Sequence, residues 1–173
     1  MDEYLNRAYN FWHGKTKYPQ FNHFWFNSSK DNIIREQFSD LLKNLELLSI
    51  EEIKNLYLYD NKKLYTVMLV LDQFSRNIYR DRKNFIEFDK KSIELAKILI
   101  KTDVDTFLIK MFIYLPFRHT HITDNLSMVT ELLKKDLLIY PKETKLINKF
   151  AKEVINDYTK CINDIKIFNS SID

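Results

Sequence analysis

KLYTVMLVLDQFSRNIYR (63–80) decides the fold. Leu64, Val67, Met68, Leu71, Phe74 and Ile78 recur at steps of three and four, the spacing of an α-helix with a broad apolar surface. The spacing predicts one helix over 62–79, near the middle of a helical bundle. Asp72, Gln73, Arg76 and Asn77 interrupt that surface. Asp72 and Arg76 are four residues apart and share a face; Gln73 and Asn77 share the adjacent one. A carboxylate among so many apolar neighbours needs a partner, and Arg76 is the nearest. Two readings stand side by side. Either these groups form a buried ion pair with amides that links helices, or they line a recess in which Arg76 grips an anion while Asp72 and the amides orient it.

The rest of the chain agrees with helices. One glycine and three prolines leave no room for the glycine-dependent turns of β-hairpins, so the fold class is all-α. Ile33, Ile34, Phe38, Leu41, Leu42 and Leu45 repeat the helical spacing in a second segment. Periodicity predicts helices over 2–11, 30–47, 50–58, 62–79, 84–101, 104–116, 124–136 and 142–167. Ser49 and Glu52 form a capping-box pattern, and Asp103 and Thr123 are expected N-caps. Pro141 suits a first helical turn, and Pro116 is expected to end or kink its helix.

At 173 residues, 45% hydrophobic and 29% charged, the chain fits a single helical domain over 1–173 with its own core. The net charge of +3 comes from 27 basic and 24 acidic residues that are interspersed, which gives no electrostatic reason to expect nucleic acid. The single cysteine, Cys161, excludes an internal disulfide and a cysteine-based zinc site and points to a reducing compartment. MDEYLNRAYNFWHG lacks the pattern of a signal or transit peptide, and no apolar run approaches a membrane span. A cytoplasmic protein without a membrane partner is expected.

Other constellations are weaker. HGKTKYPQFNHFWFNSS (13–29) is aromatic and expected to be an ordered loop packed by Tyr18, Phe21, Phe24, Trp25 and Phe26. His13 and His23 read as packed or surface histidines. FIYLPFRHTHITDN (112–125) brings Arg118, His119, His121, Asp124 and Asn125 together. Its histidines lack the third ligand of a familiar metal motif, so no metal is assigned, and a capping role competes with His119 as a general acid or base. Cys161 reads as a buried structural thiol. There is no glycine-rich phosphate loop, no G-x-S-x-G elbow and no H-E-x-x-H helix.

Taken in order, these motifs resemble a bacterial family, domain of unknown function 924. The stretch from Tyr9 to Gly14 is similar to that family's opening F-W-F-G element, and Phe24, Trp25 and Phe26 to its following tryptophan-phenylalanine step. LDQFSRNIYR (71–80) matches almost throughout, Phe85, Phe88 and Asp89 continue it, and YLPFRHT (114–120) resembles Y-L-P-F-x-H-S. The resemblance covers about 5–130. It implies a tetratricopeptide-like bundle of antiparallel helix pairs and singles out Asp72, Gln73, Arg76, Asn77 and His119 as the lining of one site. Thr120 and His121 stand where the family has a Ser-Glu pair. Beyond Tyr140 and Pro141 the family's His-Arg-Asn is missing, so the C-terminal part reads as divergent.

Three functions follow as expectations, and cofactor and enzymatic activity are left open. The first is binding of a small anionic ligand or a peptide in a recess lined by Asp72, Gln73, Arg76, Asn77 and His119 and walled by Trp25. The second is a hydrolase-type enzyme with His119 and Asp72 as a catalytic pair. The third is an interaction module or homo-oligomer that carries a vestigial site.

Overall fold

A computed structural model describes residues 1–16, 19–81 and 85–170, with side chains as far as residue 164. Tyr18, the first residue of the helix expected over 84–101, and the Ile165 side chain lie outside the described residues. Among those described the fold is all-α, without a strand. The chain gathers into two compact units, Met1–Asp103 and a second that begins at Val104.

In the first unit α1 (Asp2–His13) is followed by a 3₁₀ turn (His23–Phe26), α2 (Asp31–Leu47) and α3 (Ile50–Tyr57). Then α4 (Asn61–Leu69) runs through a π-turn (Val70–Phe74) into α5 (Ser75–Ile78), and α6 (Ile86–Leu99) closes the unit. Every residue from Leu64 to Asp72 is buried, so α4 is enclosed on all sides from Leu64 onward and lies against α1, α3 and α6, while α5 lies on α2. The six residues that predicted this helix are all in the core. Ser49 accepts from the Glu52 N–H at 3.2 Å and Glu52 returns to the Ser49 N–H at 2.7 Å, the expected capping box. Asp60 caps α4 with one such bond, its Oδ1 accepting from the Lys63 N–H at 3.0 Å.

The aromatic loop is ordered by α1. Gly14, the only glycine, ends that helix at φ +83°, a left-handed conformation that other residues adopt at a cost. The Trp12 carbonyl then accepts from Asn22 Nδ2 at 2.8 Å and Trp25 Nε1 at 3.1 Å. Trp12 stacks on Trp25 and packs against Phe74 in the π-turn, with ring centres 5.9 and 5.0 Å away. Next to them His13 is fully buried and shares a 2.8 Å hydrogen bond with the Tyr65 hydroxyl. Burial pushes His13 down to about 3, so it is neutral in the folded protein.

The second unit holds α7 (Phe107–His119), α8 (Thr123–Ile139), a 3₁₀ turn (Pro141–Glu143) and α9 (Thr144–Ser170). Its caps differ from expectation. Thr106, rather than Asp103, caps α7, and the cap of α8 is Ile122, with Thr123 as the first helical residue. α7 starts at Phe107 because Glu143 reaches its open end: Oε1 accepts from the Phe107 N–H at 2.8 Å and Oε2 from the Leu108 N–H at 3.2 Å. Pro116 does not end α7 either. It removes one N–H, but the following turn is held by buried Phe117 and by Arg118, which reaches Asp157 at 2.6 Å and Glu153 at 2.7 Å on α9. Between α7 and α8, Tyr114 O–H donates to buried Asp136 at 2.6 Å, and burial raises the Asp136 carboxyl above the usual range.

Two outcomes follow from these contacts. Glu143→Gln should cost about 1–2 kcal/mol, the worth of a charged cap, and a calorimetric melt should show the midpoint fall by several degrees; an unchanged midpoint would remove Glu143 from the account of α7. For His13, the unfolded chain takes up a proton near pH 6.5 and the folded chain only near 3. Between those values the unfolded state binds more protons, so stability falls as the pH falls, by up to about 1.4 kcal/mol per pH unit from this residue. His13→Gln should flatten the dependence of stability on pH over that window; an unaltered slope would contradict a neutral, buried His13.

Candidate functional site

The apolar helix becomes polar where its backbone widens. The Ser75 N–H donates to the Val70 carbonyl, five residues back, and this π-turn leaves the Leu71 carbonyl without its helical donor. Ser75 Oγ, itself buried, takes that place, donating to Leu71 O at 2.6 Å and Asp72 O at 3.0 Å. Single π-turns inside α-helices are frequent at functional sites, and this one holds Asp72 and Gln73.

Asp72 is 1% exposed. Its Oδ2 accepts from Gln73 Nε2 at 2.5 Å, and its Oδ1 stands 3.5 Å from buried Nε of Arg76, an ion pair without a hydrogen bond. The sequence named Arg76 as the partner of Asp72, and the structure adds a second acid: Arg76 Nη2 donates to Asp89 on α6. The Phe85 ring lies under the guanidinium, its centre 4.9 Å from Cζ. Arg76 is thus oriented by three groups, while 27% of its side chain is exposed and Nη1 has no hydrogen-bond partner among the described residues.

Asn77 belongs to a neighbouring network. It is buried and donates to Asp31 Oδ1 at 2.8 Å, at the start of α2; Arg80 grips both oxygens of the same carboxylate and reaches the Asn27 carbonyl at 3.3 Å. These donors hold the Asp31 carboxyl below its ordinary range, Arg80 being the larger influence. Arg35, one turn along α2, donates from Nε and Nη2 to the Ile78 carbonyl at 3.2 and 3.1 Å, closing the end of α5. Asn77 therefore ties α5 to α2. Trp25 is also a packing group: it is buried, its indole N–H is given to Trp12, and Phe21 and Phe26 lie over it, more exposed than it is.

His119 belongs to the second unit, half-buried in the last turn of α7. The residues after it order the link to α8. Thr120 Oγ1 donates to the Phe117 carbonyl at 2.7 Å and accepts from Asn125 Nδ2 at 3.0 Å, and exposed His121 takes a left-handed φ of +51°. Cys161 is half-buried and donates to the His121 carbonyl at 3.3 Å. Among the described residues no three His, Cys, Asp or Glu side chains gather as a metal would require.

Asp89, Phe85, Asp31 and Arg80 were not marked as site residues by the sequence. Arg80 was inside the quoted motif, and Asp89 stood in the block that continues the family resemblance. Asp31 gave no signal, because it meets Asn77 across 46 residues of chain.

Fold and site together define an all-helical protein whose central helix carries a charged π-turn. The chain belongs to the family described as "Bacterial protein of unknown function (DUF924)", whose model matches residues 8–164. That match continues past the 5–130 covered by the motifs, through α8 and most of α9. No curated protein and no solved structure matches the chain. No helix among the described residues is long and apolar enough to cross a membrane.

If Ser75 holds the π-turn, Ser75→Ala leaves a carbonyl unpaired in a dry interior and should cost about 1–3 kcal/mol. Chemical denaturation of the two proteins measures this, and equal stabilities would remove Ser75 from that role.

Proposed function

We propose that the protein binds a small anionic ligand, or the acidic part of a peptide, where the π-turn meets α6, with Arg76 as the group that takes the charge. The observation that carries this reading is the state of Arg76. Asp72 and Phe85 fix the guanidinium before any ligand arrives, yet the side chain is 27% exposed and Nη1 keeps donors to offer. A guanidinium that has already lost its rotamer freedom gives up less on binding, and its planar fork suits a carboxylate or a phosphate. Half-buried Gln73, bonded to Asp72, stands beside it as an orienting group. Asn77 and Trp25 act behind the site, holding α2, α5 and the aromatic loop in place.

Thermal melts against a panel of small carboxylates and phosphates test the proposal. A ligand at 100 times its dissociation constant adds about 2.7 kcal/mol to the folded state, which a melt registers clearly. Arg76→Lys keeps a cation for Asp72 but loses the fork and should reduce the shift; Arg76→Ala should abolish it. Folded variants that shift as far as the parent with every ligand would defeat the reading.

A further inference from the structure

The guanidinium offered to a ligand is already held by an anion of the chain itself. A bidentate grip on a carboxylate or phosphate uses one of two edges of an arginine: Nε with Nη2, or Nη1 with Nη2. Nε is buried against Asp72, which is 1% exposed, so that edge is closed. The remaining edge needs Nη2, which has one N–H on each edge and already donates to Asp89. Asp89 is unlike Asp72 in one respect: its side chain is 21% exposed, against 1% for Asp72, so it can leave the guanidinium for water without a charge being stranded in the core.

From this geometry we infer that Asp89 is an internal competitor: its carboxylate draws on the Nη2 that an incoming carboxylate or phosphate must use, and binding proceeds against it. The inference rests on the proposed anion site and adds its regulation. It makes α6, which carries Asp89, the element that responds when a ligand binds.

Isothermal titration of the full-length protein with inorganic phosphate and with succinate tests this, using the parent, Asp89→Asn, Asp89→Ser and an Arg76→Gln, Asp89→Asn double variant. The two serve as independent single variants because a polar, partly exposed position tolerates either side chain, and circular dichroism identifies a folded one. Both should bind at least one of the anions about tenfold or more tightly than the parent, as the loss of a charge-assisted competitor implies. The double variant should lose that gain. A gain that survives without Arg76 would mean a general field effect and overturn the inference. Arg76-dependent binding by the parent with no gain in the Asp89 variants would overturn the competitor and leave the binding site standing. No binding by any variant would overturn both.

Discussion

A carboxylate lies at the end of a run buried on every side, Leu64 to Asp72, and the first unit is arranged around it. An ionised Asp72 left alone at 1% exposure would cost several kcal/mol, a large part of the stability of a domain this size. Gln73 and Arg76 answer that cost from within the same helix, and Arg76 brings Asp89 and Phe85 from the segment that follows. The π-turn belongs to the same solution. It displaces Asp72 and Gln73 from regular helical positions, and Ser75 closes the backbone group so released. An ion pair of this kind is weak support for stability by itself, because apolar residues of similar volume would serve as well or better. Its value here is that it leaves an oriented arginine at the edge of the core.

The same economy recurs wherever a helix end or a polar atom is shielded from water. The Trp12 carbonyl takes two donors and so fixes the aromatic loop. Arg35 closes the end of α5, and Asp31 collects Asn77 and Arg80. In the second unit Glu143 serves the start of α7, and Arg118 joins α7 to α9 past Pro116. Apart from the aromatic loop, whose donors lie 10 and 13 residues from Trp12, these side chains reach across tens of residues. A chain with one glycine has few tight backbone turns to satisfy such groups locally, so long-range side chains do it.

Much of the fold was legible because helices announce themselves at short range. The spacing of Leu64 to Ile78 and of Ile33 to Leu45 identified both core faces, all but Ile33 being buried, and Ser49 with Glu52 identified a start. The misses were also local rules outvoted by distant contacts. Thr106 displaced Asp103 because Glu143 receives the N–H groups at Phe107 and Leu108, and α7 outlasted Pro116 because Arg118 is anchored on α9. The π-turn had no sequence signal, since one additional residue in a helical turn leaves the apolar pattern on both sides intact.

For the candidate site, the sequence by itself determined that a helix of this periodicity would bury Asp72 and that Arg76, four residues on, would be its partner. Both follow from helical geometry and the cost of a lone buried charge. Only the tertiary structure decided what Arg76 does besides. That Asp89 and Phe85 share it, that Asn77 turns to Asp31, and that Trp25 is given to packing all depend on which helices meet. Those choices are set by side chains far apart in the chain, which no local pattern encodes.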